Sequence, residues 1–234
     1  MNTNSNSYTI TYASVLVIIV AFVLAFTSAA LRDRQTKNQE LDKMKQILAA
    51  LKVDTKGGDA EAMYKQYIQA DEILDHTGAV QVQTGGFEID MATEMNKPET
   101  ERKLPIYICE VNGARKYVLP LSGAGLWGPI WGYIALDEDK STVYGAYFSH
   151  AAETPGLGAE IAEKPFQAEF VGKHALKNYE VALTVAKFGK VTDPTTEVDG
   201  ISGGTLTSNG VNAMIKDCLK QYITFLTTKD NKEG

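Results

Sequence analysis

Cysteine is scarce in this chain of 234 residues: Cys109 and Cys218 are the only two, and neither has a CxxC or CxxCH neighbour. That excludes a zinc ribbon, an attached c-type haem and a self-contained iron–sulfur site. Both sit among apolar residues, the usual setting of buried free thiols. Concentrated positive charge is missing too. The net charge is −6 and the Lys and Arg residues form no stripe, which argues against nucleic-acid binding. There is no serine elbow, no paired-carboxylate motif and no cluster of metal ligands, so a hydrolase reading has no residues to rest on. No catalytic side chain and no metal are expected. His150 has no partner near it in sequence and fits a structural role. Neither an internal repeat nor a low-complexity tract is visible.

Charge of either sign is absent from Met1 to Leu31, and "VLVIIVAFVLAF" forms the centre of that stretch. A membrane-spanning helix needs about 20 mostly apolar residues, and Ile10 to Leu31 supplies them. A cleaved signal peptide is the rival, because "TSAA" offers small residues at a cleavage site. Such peptides carry a basic leader and a shorter apolar core, whereas "MNTNSNSY" has no Lys or Arg, so a retained single-pass anchor is expected. The organisation read from the sequence is a short tail over 1–9, a transmembrane helix over 10–31, a helical connecting region over 32–78 and one globular domain over 79–234.

In the connecting region Leu41, Met44, Ile47, Leu48 and Leu51 fall on one helical face. "KGGD" breaks that pattern, and "AEAMYKQYIQADEILD" predicts a second helix. Strand signals then dominate from Val80 to Phe148. "VQVQTGGFEID" alternates; "LPIYICEV" and "ARKYVLPL" flank Asn112-Gly113, the strongest short hairpin signal; "WGYIALDED" and "TVYGAYFS" form a second hairpin around Asp139 and Lys140. A helix is expected near Ala159 to Gly172, a strand in "YEVALTVAKF" and a last helix from Ser208 to Thr227. The fold class is α+β, with a mostly antiparallel sheet and flanking helices.

Three stretches carry the chemical signal. "DGISGGTLTSNG", Asp199 to Gly210, places adjacent glycines and four hydroxyls ahead of a helix. Glycines let a backbone approach a ligand, and a helix N-terminus offers free N–H groups and partial positive charge to an anion. The same residues also make an ordinary turn and N-cap, and the spacing matches neither the P-loop nor the dinucleotide fingerprint. "HAAETPGLGAE" is a tight loop with polar groups at Glu153 and Thr154. "GLWGPIWGYIALDED" brings Trp127 and Trp131 together, either as aromatic core or as a wall for a planar ring or a partner.

Taken together, these stretches resemble the C-subunit family of sodium-translocating NADH:quinone oxidoreductases, within the wider FMN-binding domain family. The resemblance extends over nearly the whole chain. In the family, a motif of the form Asp-x-x-Ser/Thr-Gly-Ala-Thr marks a threonine to which a flavin transferase attaches FMN through a phosphoester. Asp199, Ser202, Gly203 and Thr205 fit it, and Gly204 departs from it where alanine is usual. The resemblance therefore implies covalent FMN on Thr205. Leu206, Thr207 and Ser208 are implied beside it, with the two hydroxyls as candidate phosphate contacts or caps. Glu153, Thr154, Leu157 and Gly158 match the family's second loop, which approaches the flavin ring. The implied function is single-electron relay within a membrane complex that oxidises NADH, reduces ubiquinone or menaquinone and exports sodium. Its partners are the complex's remaining subunits and the flavin transferase. Two alternatives are the G subunit of the Rnf ferredoxin:NAD oxidoreductase and a non-redox anchored binding module. The basic residues after the span (Arg32, Arg34, Lys37, Lys43 and Lys45) favour a cytoplasmic domain by the positive-inside rule. The resemblance instead places the domain on the periplasmic side of the bacterial inner membrane, and that side is the expectation.

Overall fold

The computed structural model describes residues 5–228; of the short tail expected over 1–9, residues 1–4 lie outside them. One compact unit spans Met1–Lys43 and the other Met44–Gly234. The first helix, α1 (Asn6–Ala50), is continuous. Ser5 starts it, its hydroxyl accepting from the Tyr8 N–H at 3.3 Å. It is the one helix among the described residues long and apolar enough to cross a membrane, and Ile10, Val17, Ile18, Phe22 and Phe26 are all exposed. A helix that is apolar all round is not the amphipathic kind that lies on a soluble core. At its other end, Lys52 adopts a left-handed conformation (φ 60°) and Val53 N–H returns to Leu48 O at 3.0 Å, which closes the helix with a Schellman-type turn. Ile47, Leu48 and Leu51, three of the five residues on the expected face, are buried.

Next comes α2 (Ala60–Tyr67), capped by the Asp59 carboxylate. The helical pattern of the sequence continues to Asp75, but the chain turns into a strand at Ile68. β1 (Ile68–Leu74) pairs antiparallel with β3 (Leu104–Val111) and with the three-residue β2 (Val80–Val82). The helix expected over this stretch is therefore only half present, because burying Ile73 and Leu74 in the sheet outweighs local propensity. Gly-Gly ends β2 early, and the remainder of the expected alternating strand forms a 3₁₀ turn (Gly86–Glu88) and α3 (Met91–Met95).

The two hairpins form as the pattern predicts. β3 and β4 (Ala114–Ala124) meet at Asn112-Gly113, both at positive φ (53° and 74°), as a type I′ turn requires. β5 (Pro129–Leu136) and β6 (Val143–His150) complete a six-stranded sheet of order β2-β1-β3-β4-β5-β6, antiparallel throughout. Alternation along the strands builds two cores. Leu104, Ile106, Leu119, Leu121, Ile130 and Ile134 face one side; Tyr107, Cys109, Val118, Tyr133 and Ala135 face the other with Ile47, Ala50 and Leu51. Cys109 and Cys218 lie in different cores and both are free and buried.

Beyond the sheet, the helix expected over 159–172 is two shorter pieces, a 3₁₀ turn (Gly158–Ala162) and α4 (Lys164–Ala168). Pro165 has no N–H to continue the first into the second. The expected strand after it is also fragmented: β7 (Leu176–Lys177), β8 (Glu180–Val181) and β9 (Thr184–Val185), the last pairing in parallel with β10 (Glu197–Val198). The final helices are α5 (Thr205–Gln221) and α6 (Ile223–Thr227). Val211, Met214, Ile215, Cys218 and Leu219 bury one face of α5 in the first core. Gly210 lets α5 meet the end of β4, because a Cβ there would overlap the Ala124 carbonyl oxygen. That close approach sets the N-terminus of α5 beside the turn between β4 and β5.

Candidate functional site

Helix α5 begins at Thr205, three residues before the expected start, and Gly204 occupies its N-cap position without a side-chain hydrogen bond. Its first-turn N–H groups thus have no side-chain acceptor, the arrangement that favours an anion. Gly204 N–H donates to Ile201 O at 3.0 Å, and Gly203 sits at φ 74°, so the loop turns tightly just ahead of the helix. Ser202, Thr205 and Leu206 are exposed, whereas Thr207 and Ser208 are each 2% exposed.

The two buried hydroxyls are committed elsewhere. Ser208 Oγ accepts from the Ile201 N–H at 2.9 Å and so braces the loop from inside. Thr207 donates to Glu153 Oε2 at 2.6 Å. Neither caps α5, and neither faces the surface that Thr205 presents. The sequence offers both as phosphate contacts or caps; the earlier helix start rotates them inward.

Glu153 joins three segments. Besides Thr207, its carboxylate accepts from the Trp127 N–H at 2.8 Å, and the Leu126 N–H also donates to it. Its own N–H donates to His150 Nδ1 at 3.2 Å. The side chain is buried, at 5% exposure. Burial pushes the carboxyl upward, but the hydrogen bonds from Thr207, Trp127 and Leu126, with the nearby His150, prevail and hold it below the ordinary glutamate value. It is ionised at neutral pH. The turn that carries Leu126 and Trp127 closes through Gly125 N–H to Gly128 O at 2.8 Å. Gly158 packs against the carboxylate and the Thr207 hydroxyl with no room for a side chain.

Thr154 is exposed and its carbonyl accepts from both Leu157 N–H and Ala159 N–H at 3.1 Å, which folds the second loop tightly. Leu157 lies against Gly203 and Gly204. Asp199 stands apart from this surface. Its Oδ1 accepts from Gly189 N–H at 2.7 Å and Gly200 N–H at 3.1 Å, which pins the Lys187–Lys190 turn. The sequence thus locates the two loops. It also offers Trp127, in the turn at 125–128, as a wall for a planar ring, but it gives no sign of the Glu153–Thr207 pair, whose members are 54 residues apart. Trp127 is 65% exposed and not aromatic core, while half-buried Trp131 donates from Nε1 to Gln46 Oε1 at 3.0 Å.

The residues present fit a flavin mononucleotide. An uncapped helix start with an exposed hydroxyl suits its phosphate, and the exposed apolar side chains of Leu126, Trp127, Leu157 and Leu206, on segments joined through Glu153, suit a planar ring.

Residues 125–220 match the model of the FMN-binding domain family. The C subunit of the Na(+)-translocating NADH-quinone reductase of Haemophilus ducreyi is 33% identical, over 92% of this chain and 90% of its own length. The Vibrio vulnificus C subunit is 31% identical, over 84% of each. Among solved structures, the C subunit from Parabacteroides distasonis is 42% identical with a TM-score of 0.79, over 86% of this chain and 98% of that one. NqrC from Shewanella oneidensis, at 20% identity and a TM-score of 0.69 over 82% and 100%, shares the fold.

Proposed function

The chain belongs to the C-subunit family of Na(+)-translocating NADH-quinone reductases, and from that premise we propose that it carries FMN in phosphoester linkage to Thr205 and relays electrons one at a time within the complex. Membership makes it a flavin electron-carrier subunit of a multisubunit oxidoreductase. The one long apolar helix among the described residues fits a single-pass protein of the inner membrane.

The observation that carries the finer reading is the sorting of hydroxyls at the start of α5. Thr205 is exposed on the uncapped first turn, and Thr207 and Ser208 are buried and bonded inward. A flavin transferase can reach the first and not the others. A phosphoester there would be held by the first-turn N–H groups of α5. Ser202 and Gly203 shape its approach, Gly204 starts the helix, and Leu157 and Leu206 offer apolar contact to the ring. Bound FMN supplies the electron transfer, while the protein supplies attachment, orientation and electrostatics. No side chain acts as acid, base or nucleophile.

The test is to co-express the full chain with a flavin transferase and examine it on a denaturing gel under ultraviolet light. A fluorescent band is expected. A protein that releases all its flavin on denaturation would overturn the covalent reading.

The domain is proposed to face the periplasm, against the basic residues that follow the span, because charge bias steers long translocated domains only weakly. Both native cysteines are buried, so the reporter is an added one: Tyr179→Cys, at a position 75% exposed. A membrane-impermeant maleimide is expected to label it in intact cells. Labelling only after lysis would place the domain in the cytoplasm.

A further inference from the structure

Glu153 does more than brace loops. Its partners at the carboxylate are neutral donors, the N–H groups of Leu126 and Trp127 and the hydroxyl of Thr207. Among the described residues no Lys or Arg forms an ion pair with it; His150, whose Nδ1 accepts from the Glu153 N–H, is the nearby basic group and also favours the charged carboxylate. A buried carboxylate without an ion-pair partner is costly, and hydrogen bonds offset that cost without removing the charge. The charge also sits at the junction of the three segments that form the candidate flavin surface. Thr207 is two residues from Thr205, Leu157 touches the glycine turn, and Trp127 is held by its N–H. Buried charges act over several ångströms with little screening by salt. An electron added at that surface enters the field of a fixed negative charge.

We infer that Glu153 is a positioning residue that holds a permanent negative charge beneath the flavin surface and, in concert with the Thr207 hydroxyl, sets the flavin's reduction potential, the carboxylate lowering it. This rests on the FMN reading, but not on the attachment being covalent. Glu153 touches neither reacting atoms nor substrate. It acts through the loops and through its field. The hydroxyl of Thr207 opposes it, because its positive end points at Oε2 and cancels part of the charge.

The two partners therefore shift the potential in opposite directions. Glu153→Gln removes the charge while keeping an amide of nearly the same shape, and the midpoint potential of the flavin moves upward. Thr207→Val keeps the charge and removes the donor, and the potential moves downward; Thr207→Ser restores the donor and returns it to the wild-type value. A role in loop bracing alone would loosen the loops in both variants and move both potentials the same way or not at all.

The experiment is an anaerobic redox titration, followed by flavin absorbance, of each full-length variant co-expressed with the transferase and purified in detergent. Opposite shifts with rescue by Ser support the inference. An unchanged potential in Glu153→Gln, or shifts of one sign in both, overturns it. If Glu153→Gln carries no flavin, Thr207→Val decides: a downward shift supports the inference and any other result overturns it. The titration reads flavin held covalently or not, so a failure of the Thr205 assignment, seen as flavin released on denaturation, is distinct from a failure here.

Discussion

Thr205→Ala is expected to abolish the fluorescent band of the denatured full chain while leaving the protein folded. Thr205 is exposed at the first position of α5, and alanine is a better helix former than threonine. Removing a hydroxyl and a methyl there changes stability by no more than about 0.5 kcal/mol, so circular dichroism and melting temperature stay near wild type. The competing hydroxyls divide by access. Thr207 and Ser208 point into the protein, and their substitution is expected to keep the band. Ser202 is the stronger rival because it too is exposed. It lies on the far side of the Gly203 turn, before the helix begins, and Ser202→Ala is expected to keep the band as well. Fluorescence that survives in Thr205→Ala and disappears in Ser202→Ala would move the attachment to Ser202.

The second large effect is expected from Gly158→Ala. A Cβ at this position overlaps the Thr207 hydroxyl and comes within 2.5 Å of Glu153 Oε2 and 3.0 Å of Thr207 Cβ. Neither neighbour can move without breaking the bond that joins them. The cost combines overpacking, about 1–3 kcal/mol, with loss of a hydrogen bond to a charged group, about 1.5–3 kcal/mol. The two overlap, so about 2–4 kcal/mol in all is expected, read as a lowered denaturant midpoint. Gly156→Ala is the control. Gly156 is in the same loop at φ 74°, but nothing lies within 4 Å of an added Cβ, so it carries only the backbone strain, about 1 kcal/mol. Equal losses in the two variants would mean that the loop is sensitive to any side chain and that the Glu153 junction is not special.

What the sequence makes legible depends on how local each determinant is. The Asn112-Gly113 hairpin is legible because two residues prescribe two positive φ angles, and nothing distant is needed. The apolar run within α1 is legible because its length and lack of charge are local too. Ile68 to Leu74 reads as helix but folds as a strand, since its spacing suits either structure and the choice depends on β3, a strand more than thirty residues later. Between Gly158 and Val198 the chain is held by short bridges and loop hydrogen bonds, whose partners no periodicity reveals.

At the candidate site the division is similar. Resemblance to the family singles out Thr205 and the second loop. It does not say that Thr207 and Ser208 turn inward, because that depends on where α5 starts, and Gly204 rather than a Ser or Thr occupies the cap. It does not say that Asp199 braces the Lys187–Lys190 turn. Nor does it join Glu153 to Thr207, a contact made only when α5 docks against the end of β4.

The assignment of the flavin phosphate to Thr205 is tested most directly by fragmenting the tryptic peptide that contains it. The peptide after Lys190 runs to Lys216 and holds Ser202, Thr205, Thr207 and Ser208 together. Fragment-ion mass spectrometry of the flavinylated full chain is expected to place the whole FMN adduct on Thr205, with every other hydroxyl of the peptide, Thr192, Thr195 and Thr196 included, unmodified. An adduct on Ser202, Thr207 or Ser208, or a peptide without FMN in a protein that remains yellow after denaturation, would contradict it.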